Sequence, residues 1–239
     1  MVYISAALIA APTPGQAPYV AFAREMAPMI RQLGAQRVVD AWGDDVPEGK
    51  RTDMRRAVEL QPDETPVFSW IEFPDAETAA ACMGAMSAPP EEGAPPLEMP
   101  FDGSRMIYGG FEPVSERGAG APGAPGAYVD AALFPAPSDA REAYAARAGR
   151  LADAILAAGA LRCFDGWGAY VPEGKRTDMR RAVALAPGET VALGFIEWPS
   201  KAVRDAAWGK LMSDPVFAGD AVGDMGRAIF GGFAPLVDA

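Results

Sequence analysis

The stretch "VPEGKRTDMRRAV" occupies residues 46–58 and recurs, letter for letter, at residues 171–183. The sequence around the two occurrences has diverged, but an alignment between them extends outward in both directions. Glu72, for example, aligns with Glu197 at the same spacing of 125 residues. Such a period matches a small domain and is too long for a solenoid repeat, so the sequence indicates a tandem duplication.

The segment "SERGAGAPGAPG" at residues 115–126 lies between the two copies. Gly, Ala and Pro dominate this segment and offer little side-chain surface for a core, so it predicts a linker. The first copy is then expected at residues 1–114 and the second at 127–239. Because half of all residues are hydrophobic, we expect a core in each copy. A linker of this length reaches at most about 40 Å, which keeps the copies within contact distance.

The hydrophobic periodicity predicts four strands and two helices in each copy. The last strand of the first copy begins at "RMIYGGF" (105–111), which matches "RAIFGGF" (227–233) at a spacing of 122, so the first copy has three additional residues between 75 and 104. The order βαββαβ predicts a ferredoxin-like α+β unit. The individual predictions are strands at 2–10, 36–43, 66–73 and 106–114, a helix at 16–33 ended by Gly34, and a helix at 200–214 that begins with Ser200 as N-cap.

The thirteen-residue repeat lies between the second and third strands of each copy. Val46–Gly49 has the residues of a turn. Thr52 or Asp53 can cap a short helix in which Met54 and the apolar residues that follow it share one face. A strand with alternating side chains is the weaker alternative.

The composition excludes several kinds of catalytic site. The chain has no histidine, which rules out Ser-His-Asp and Cys-His nucleophiles, zinc sites with imidazole ligands and haem held by a proximal histidine. Cys82 and Cys163 do not occupy matching positions, and each is expected to be a small buried side chain rather than half of a disulfide. The sequence predicts no metal and no cofactor.

The net charge of −11 argues against nucleic acid and anionic membrane surfaces as partners. The first copy is the more acidic one, with 17 acidic and 8 basic side chains against 14 and 12 in the second copy. No apolar run is long enough to span a membrane. The apolar N-terminal stretch recurs at residues 127–137, so it is interpreted as part of the fold rather than a signal peptide. A soluble, cytoplasmic protein is therefore predicted.

Several long motifs resemble a bacterial family, the domain of unknown function 1428 or YbaA-like proteins. They are "DAWGDDVPEGKRTDMRRAV", "FSWIEFP", "PSKAVRDAAWGKLMSDP" and "MPFDGSRMIYGGF", and together they cover both copies. The resemblance implies a dimeric α+β barrel, in which two ferredoxin-like sheets pack face to face. This chain would then be a covalent pseudo-dimer whose two copies pair within one molecule. The resemblance implies no particular reaction.

The two copies keep different parts of the family pattern. The first keeps "MPFDGSRMIYGGF" but has "DAETAAACMGAMSAPPEEGAPPLE" in place of the second-helix motif. The second keeps the second-helix motif but has "AVGDMGRAIFGGF" near its last strand. We therefore expect asymmetric halves, in which equivalent positions need not form equivalent sites.

The candidate ligand-binding residues are aromatic or basic. Trp42 and Trp167 end the second strand of each copy, where they either pack in the core or form a stacking wall of a pocket. The basic residues of the repeat either pair with nearby acids or form an anion-binding edge. The basic candidates in the repeats are Lys50, Arg55, Lys175 and Arg180, alongside Asp53 and Asp178; Arg105 and Arg227 precede the last strands.

Glu72 and Glu197 are the weak catalytic candidates. Each lies inside the third strand of its copy, on the face opposite to its apolar neighbours. On the helix-covered face it needs an arginine partner, whereas on the barrel side it is a candidate general base. Arg105 and Arg227 are expected to pair with these glutamates. The glycine pairs 109–110 and 231–232, in strand interiors, predict a bulge or a close backbone approach.

Three functions remain open at this point. The favoured one is a small-molecule-binding or non-catalytic α+β barrel pseudo-dimer, because the sequence has no histidine and no nucleophile constellation. The second is a cofactor-independent isomerase or monooxygenase on a small aromatic or carboxylate substrate, which rests on analogy of fold. The third is a protein-interaction module that uses the acidic face around Asp44, Asp45 and Glu48.

Overall fold

The computed structural model describes residues 2–88, 98–218 and 221–239. The additional residues of the first copy fall in a region that includes 89–97, which lies outside the described residues. Within the described part of the chain, no helix combines the length and the apolarity needed to cross a bilayer. The elements of the first copy are β1 (Tyr3–Pro12), α1 (Gln16–Gln32), β2 (Arg37–Asp45), α2 (Met54–Ala57), β3 (Glu64–Phe73), α3 (Ala76–Met86) and β4 (Ile107–Gly118).

The second copy repeats this order. Its elements are β5 (Tyr128–Pro137), α4 (Arg141–Ala157), β6 (Arg162–Tyr170), α5 (Met179–Ala182), β7 (Glu189–Trp198), α6 (Lys201–Leu211) and β8 (Ile229–Asp238). Ser200 caps α6 as expected, because its side chain accepts a hydrogen bond from the Val203 amide. Gly34 follows α1 with a φ of +103°, which fits the predicted helix end.

All eight strands form one closed antiparallel barrel, in the order β1-β3-β2-β8-β5-β7-β6-β4. Each copy contributes four neighbouring strands, and the copies meet at two seams, β2 with β8 and β4 with β6. The linker is shorter than the sequence suggests, because Ser115–Gly118 continue β4 and pair with β6. Neither sheet therefore has a free edge along these seams.

The barrel interior is one core that both copies fill together, in addition to the apolar clusters that lie beneath the helices of each copy. Phe68 and Trp70 from β3 meet Phe195 from β7, with ring centroids 6.3 Å and 4.9 Å apart. Phe164 stacks on Phe195 at 5.0 Å. Aromatic pairs of this kind add to the free energy gained by burial, so much of the stability lies between the copies.

The helices cover the outside of the barrel. Beneath α1 and α3 lies an apolar cluster of the first copy that includes the free, buried thiol of Cys82. Beneath α6 and the C-terminal part of α4 lies a cluster of the second copy that includes the free, buried thiol of Cys163. The prediction that both cysteines are small buried side chains is confirmed.

The thirteen-residue repeat forms a capped helix, not a strand. The Asp53 carboxylate accepts a hydrogen bond from the Arg56 amide at 2.7 Å, so the N-cap is Asp53. Asp178 caps α5 in the same way. Helices α2 and α5 contact each other, and Met54 and Met179 reach into the barrel core. The two repeats thus pack together against the shared interior.

Each repeat also contacts the opposite copy. Thr52 Oγ1 donates to the Ala182 carbonyl, and Thr177 Oγ1 donates to the Arg105 carbonyl at 3.0 Å. Arg176 Nε donates to Glu59 Oε2 at 2.7 Å. These hydrogen bonds are not equivalent in the two copies, so the symmetric part of the contact is the packing of α2 against α5.

Glu59 and Ala184, which follow α2 and α5, have a φ of +47°. This left-handed conformation is unfavourable for a residue with a Cβ atom and costs about 1 to 2 kcal/mol. Glu59 also holds the ion pair with Arg176, whereas Ala184 is exposed. Ala184 is therefore the position at which the backbone strain can be measured by itself.

We expect Ala184→Gly to raise the free energy of unfolding by about 0.5 to 1 kcal/mol, because glycine relieves the strain at some entropic cost. Urea denaturation measures the change. The matched control is Ala182→Gly, in α5, where glycine replaces a helical alanine and we expect a loss of about 1 kcal/mol or more. Destabilisation by both variants would contradict the prediction.

A tyrosine–aspartate pair lies between helix and sheet in each copy. The Tyr19 hydroxyl donates to Asp40 and the Tyr144 hydroxyl donates to Asp165, both at 2.7 Å. Burial raises the pKa of Asp40, although hydrogen bonds from Tyr19 and Ser69 oppose the shift. Burial likewise raises the pKa of Asp165 to about 6, against the hydrogen bond from Tyr144.

The raised pKa of Asp165 predicts a pH dependence of stability. Because the native state holds this proton more tightly than the unfolded state, the free energy of unfolding falls as pH rises from about 4 to about 6. In Asp165→Asn, we expect the decrease in the free energy of unfolding between pH 4 and 6 to be smaller by about 1 to 3 kcal/mol than in the wild type. Denaturation at pH 4, 5, 6 and 7 provides the test.

The matched control is Asp153→Asn, which changes an exposed carboxylate of α4. This variant should follow the pH profile of the wild type. A profile of Asp165→Asn that runs parallel to the wild type between pH 4 and 6 would contradict the assignment.

Candidate functional site

Four charged side chains meet inside the barrel, at the end where β2 and β6 begin. Arg37 Nη1 and Nη2 donate to the two carboxylate oxygens of Glu197 at 2.9 and 2.8 Å. Arg162 Nη1 donates to Glu72 at 2.6 Å and Nη2 at 3.3 Å. Each arginine thus holds the glutamate of the other copy, and all four are buried. We call these four residues the guanidinium–carboxylate cluster.

Further acids and the linker surround this cluster. Asp238 accepts two hydrogen bonds from Arg37, and Glu116 accepts two from Arg162. Burial acts to lower the pKa of Arg37, but the hydrogen bonds to Asp238 and Glu197 more than offset this and raise it. A Cβ atom at Gly120 would lie 2.8 Å from the Glu197 oxygens, so a larger residue here would displace the side chains of the cluster. The linker therefore packs over the cluster.

Glu72 lies on the barrel side, as one alternative predicted, and also has arginine partners, as the other predicted. In the pair register Glu72 lies opposite Arg37 on the neighbouring strand, but its shorter contacts are with Arg162. It faces the barrel side, with the Trp70 indole N–H 3.2 Å from Oε1, and it also has arginine partners. The two arginines were not found from the sequence, although Arg37 and Arg162 align at the repeat spacing.

Arg105 and Arg227 do not pair with Glu72 and Glu197, so that expectation was wrong. Arg105 binds Glu64 through both terminal nitrogens, and its Nε donates to Asp102 at 2.9 Å. Arg227 makes the same contacts with its own copy's acids, Glu189 and Asp224. Both arginines also donate to the carbonyl of the left-handed residue after the short helix. They hold the repeat against the barrel.

The other basic candidates are exposed and lie apart from the cluster. Lys50 and Arg55 are solvent-exposed on the first repeat. Arg180 has its Nη2 3.8 Å from Glu173. Lys175 lies beside a shallow cleft of about 260 Å³. The structure does not bring these side chains together into one site.

The two tryptophans at the ends of β2 and β6 pack against tyrosines under the helices. The rings of Trp42 and Tyr19 are 6.0 Å apart, and those of Trp167 and Tyr144 are 5.8 Å apart. Trp167 is 8% exposed and Trp42 is half-buried. Both contribute to packing between helix and sheet.

A larger cleft of about 540 Å³ lies between α3 and the outer face of β1, β4 and β6, so it spans the β4–β6 seam between the copies. We call it the α3 cleft. Its apolar surface exceeds its polar surface, and its hydroxyl groups come from Ser5, Ser87 and three tyrosines. A Cβ atom at Gly110 would lie 1.9 Å from the Tyr3 hydroxyl oxygen, so the predicted close approach at this glycine is confirmed. The lining consists of Tyr3, Ser5, Ala76, Ala79, Ala80, Met83, Gly84, Ser87, Tyr108, Gly109, Gly110, Ala169 and Tyr170.

The equivalent place in the second copy holds a polar network. Asp130 on β5 accepts hydrogen bonds from the indole nitrogens of Trp198 and Trp208 at 2.9 and 2.7 Å. Arg204 Nε donates to the same carboxylate at 2.8 Å. Burial raises the pKa of Asp130, and the donors from Trp208 and Arg204 oppose the shift.

This network reaches across the β2–β8 seam to the acids of the first copy. Lys201 pairs with Asp44, whose carboxylate also accepts from the Tyr128 hydroxyl at 3.0 Å. Arg204 Nη1 donates to Asp45 at 2.9 Å. Two of the three acids of the predicted interaction face are therefore engaged within the molecule.

At the repeat spacing, different residues surround the α3 cleft at each of these positions, four in the first copy and two, Ala169 and Tyr170, in the second copy. Helix α3 has small or flexible side chains where α6 has charged or aromatic ones, so the space stays open. The sequence showed that the second-helix motif was replaced, but not that a cleft resulted. The substitutions are Ser5 for Asp130, Ala76 for Lys201, Ala79 for Arg204, Met83 for Trp208, Ala169 for Asp44 and Tyr170 for Asp45.

We expect Arg162→Met to lower the free energy of unfolding by about 3 to 5 kcal/mol, because it leaves Glu72 buried without its main partner. Urea denaturation measures the loss. The control is Arg117→Met, which removes an exposed arginine 3.9 Å from Asp153 and should change stability by less than about 0.5 kcal/mol. A loss below about 1 kcal/mol for Arg162→Met would contradict a structural role of the cluster.

Solved structures share the fold across nearly the whole chain. A putative monooxygenase from Fusobacterium nucleatum matches with a TM-score of 0.61 and 8% identity, over 99% of this chain and 93% of that protein. A putative monooxygenase from Lactobacillus acidophilus has a TM-score of 0.55 and 8% identity, over 100% and 96%. An anthrone oxidase-like protein has a TM-score of 0.53 and 12% identity, over 100% and 92%. At these identities the likeness shows an α+β barrel of the dimeric type and nothing about activity.

Sequence relatives are closer. YbaA of Escherichia coli strain K12, described as an uncharacterized protein, is 42% identical over 114 residues, which are 48% of this chain and 97% of YbaA. YbaA of Shigella flexneri matches to the same extent. The profile of the family described as "Protein of unknown function (DUF1428)" matches twice, at residues 2–103 and 127–226. The predicted tandem duplication is confirmed, and the chain belongs to the DUF1428 family.

Proposed function

We propose that this chain is a small-molecule-binding α+β barrel pseudo-dimer with its binding site in the α3 cleft. In this proposal two ferredoxin-like copies share one barrel, and the open site lies beneath α3 of the first copy, with Ala169 and Tyr170 of the second copy in its lining. The cleft itself is the observation that carries the proposal. Its volume of about 540 Å³ falls within the range of about 300 to 1,000 Å³ that is typical of ligand pockets.

The lining also has the usual character of a ligand site, which is an apolar wall with a few polar groups that orient the ligand. Burial and the negative charge of Glu112 raise the pKa of Tyr3. Burial and interactions with Tyr170 raise the pKa of Tyr108. These hydroxyls are therefore protonated at neutral pH and can donate hydrogen bonds to a ligand.

The second candidate function is a cofactor-independent isomerase or monooxygenase that acts on a small aromatic substrate in the same cleft. The observation that favours it is the aromatic lining, together with the fold shared with proteins described as putative monooxygenases. Glu72 faces the barrel interior, whereas Ser5 and Tyr3 lie on the opposite face of the sheet. A reaction in the cleft would therefore draw on the tyrosine hydroxyls rather than on Glu72.

Binding is tested with the intact chain and a set of two-ring aromatic probes, 2-naphthol, 2-naphthoate and 2-naphthylmethylamine, by isothermal titration calorimetry. Met83→Trp places in the cleft the side chain that fills the equivalent site of the second copy. We expect at least a tenfold loss of affinity for any probe that the wild type binds, because the indole occupies the ligand's space.

The matched control is Met29→Trp, the same exchange at an exposed position of α1 outside the cleft. It should bind like the wild type. Binding that is unchanged by Met83→Trp, or equally weakened by both variants, would refute the site, and so would a wild type that binds none of the three probes. Conversion of a bound probe under air would favour the enzymatic candidate.

A further inference from the structure

We infer that the α3 cleft selects a neutral aromatic molecule and discriminates against carboxylates and amines of the same size. This inference rests on the proposed function, because it names the class of ligand for that same cleft. It comes from a comparison of the cleft with the filled site of the second copy, position by position.

The charged residues of the filled site are lost together around the α3 cleft. Two cations, Lys201 and Arg204, are replaced by alanine. Their four acidic partners, Asp44, Asp45, Asp130 and Asp205, are replaced by Ala169, Tyr170, Ser5 and Ala80. Because both signs of charge are removed, the change leaves an uncharged wall. Among the described residues that line the cleft, none is Asp, Glu, Lys or Arg.

An anionic ligand finds no counter-charge in this lining. Transfer of a carboxylate from water into a mostly apolar cleft costs free energy unless a cation or several donors replace its hydration. The exposed Lys175 lies in a neighbouring cleft, on the far side of Tyr108, and not in this lining. The carboxylate alternative that the sequence left open is therefore disfavoured at this site.

A cationic ligand would find an aromatic ring, but no acid among the described residues that line the cleft. In the second copy Lys201 Nζ lies 5.6 Å and Arg204 Cζ 5.7 Å from the centre of the Tyr128 ring. Tyr3 is the counterpart of Tyr128, and alanines take the places of the two cations. However, Asp44 and Asp130 complete the cation site in the second copy, and their counterparts carry no charge. A cation–π contact alone contributes about 0.5 to 1 kcal/mol at an exposed site.

The second copy also indicates the shape of the missing group. The Trp208 indole lies edge-on to Trp198, with centroids 6.3 Å apart, and its N–H donates to Asp130. In the first copy Met83 occupies the position of Trp208 and leaves that space free. Phe73 and Ser5 occupy the positions of Trp198 and Asp130. A flat two-ring molecule would therefore fit, with one hydroxyl directed at Ser5, which can donate or accept a hydrogen bond.

The test compares three probes that differ only in one substituent: 2-naphthol, 2-naphthoate and 2-naphthylmethylamine. We expect the wild type to bind 2-naphthol at least tenfold more tightly than either charged probe. Ser5→Asp restores the acid of the second copy. In this variant we expect the affinity for the amine to rise at least tenfold relative to the affinity for 2-naphthol. Ala80→Asp provides a second way to place a carboxylate in the cleft, at an exposed position of α3, if Ser5→Asp does not fold.

The outcomes separate this inference from the proposed function. If a charged probe binds as tightly as 2-naphthol and Met83→Trp abolishes its binding, the ligand class is wrong while the site stands. If no probe is sensitive to Met83→Trp, the site itself is wrong. If neither aspartate variant shifts the preference towards the amine, charge does not set the selectivity and the inference is overturned.

Discussion

The two crossed ion pairs at one end of the barrel constrain the whole structure. A buried arginine or glutamate is costly unless it has a partner of opposite charge, and here the bidentate partner always comes from the other copy. The contacts within each copy are longer, at 3.4 Å for Arg37–Glu72 and 3.1 Å for Arg162–Glu197, so the crossed pairs favour the relative placement of the two sheets that the structure has. The linker reinforces that placement, because Gly120 fits against the same carboxylates.

Much of the local structure could be predicted from the sequence, because it depends on neighbouring residues. The strands, the helix end at Gly34 and the cap at Ser200 follow from periodicity and capping rules. The partners of Glu72 could not be found in this way, because Arg162 is ninety residues away and reaches it only across the shared interior. The family resemblance predicted the barrel. The shared interior and the α3 cleft could not be predicted, because they depend on packing between distant segments.

Duplication explains how one molecule can carry two versions of one place in the fold. A homodimer with identical chains has the same residues at both equivalent positions. In a covalent pair the two positions can diverge, and here one holds a network around Asp130 while the other, around Ser5, is open. The thirteen-residue repeats, by contrast, are identical, and each contacts the other half.

The seam between β2 and β8 has a consequence for synthesis on the ribosome. Strand β2 cannot complete its pairing until β8 (Ile229–Asp238) has been synthesised, because β8 is its partner on that side. The first copy therefore emerges with two open sheet edges and an uncovered aromatic face that includes Trp70. Exposed edges and apolar surface favour association with other chains. The barrel cannot close before β8 has emerged, and until then the nascent first half is the species that chaperones would have to protect.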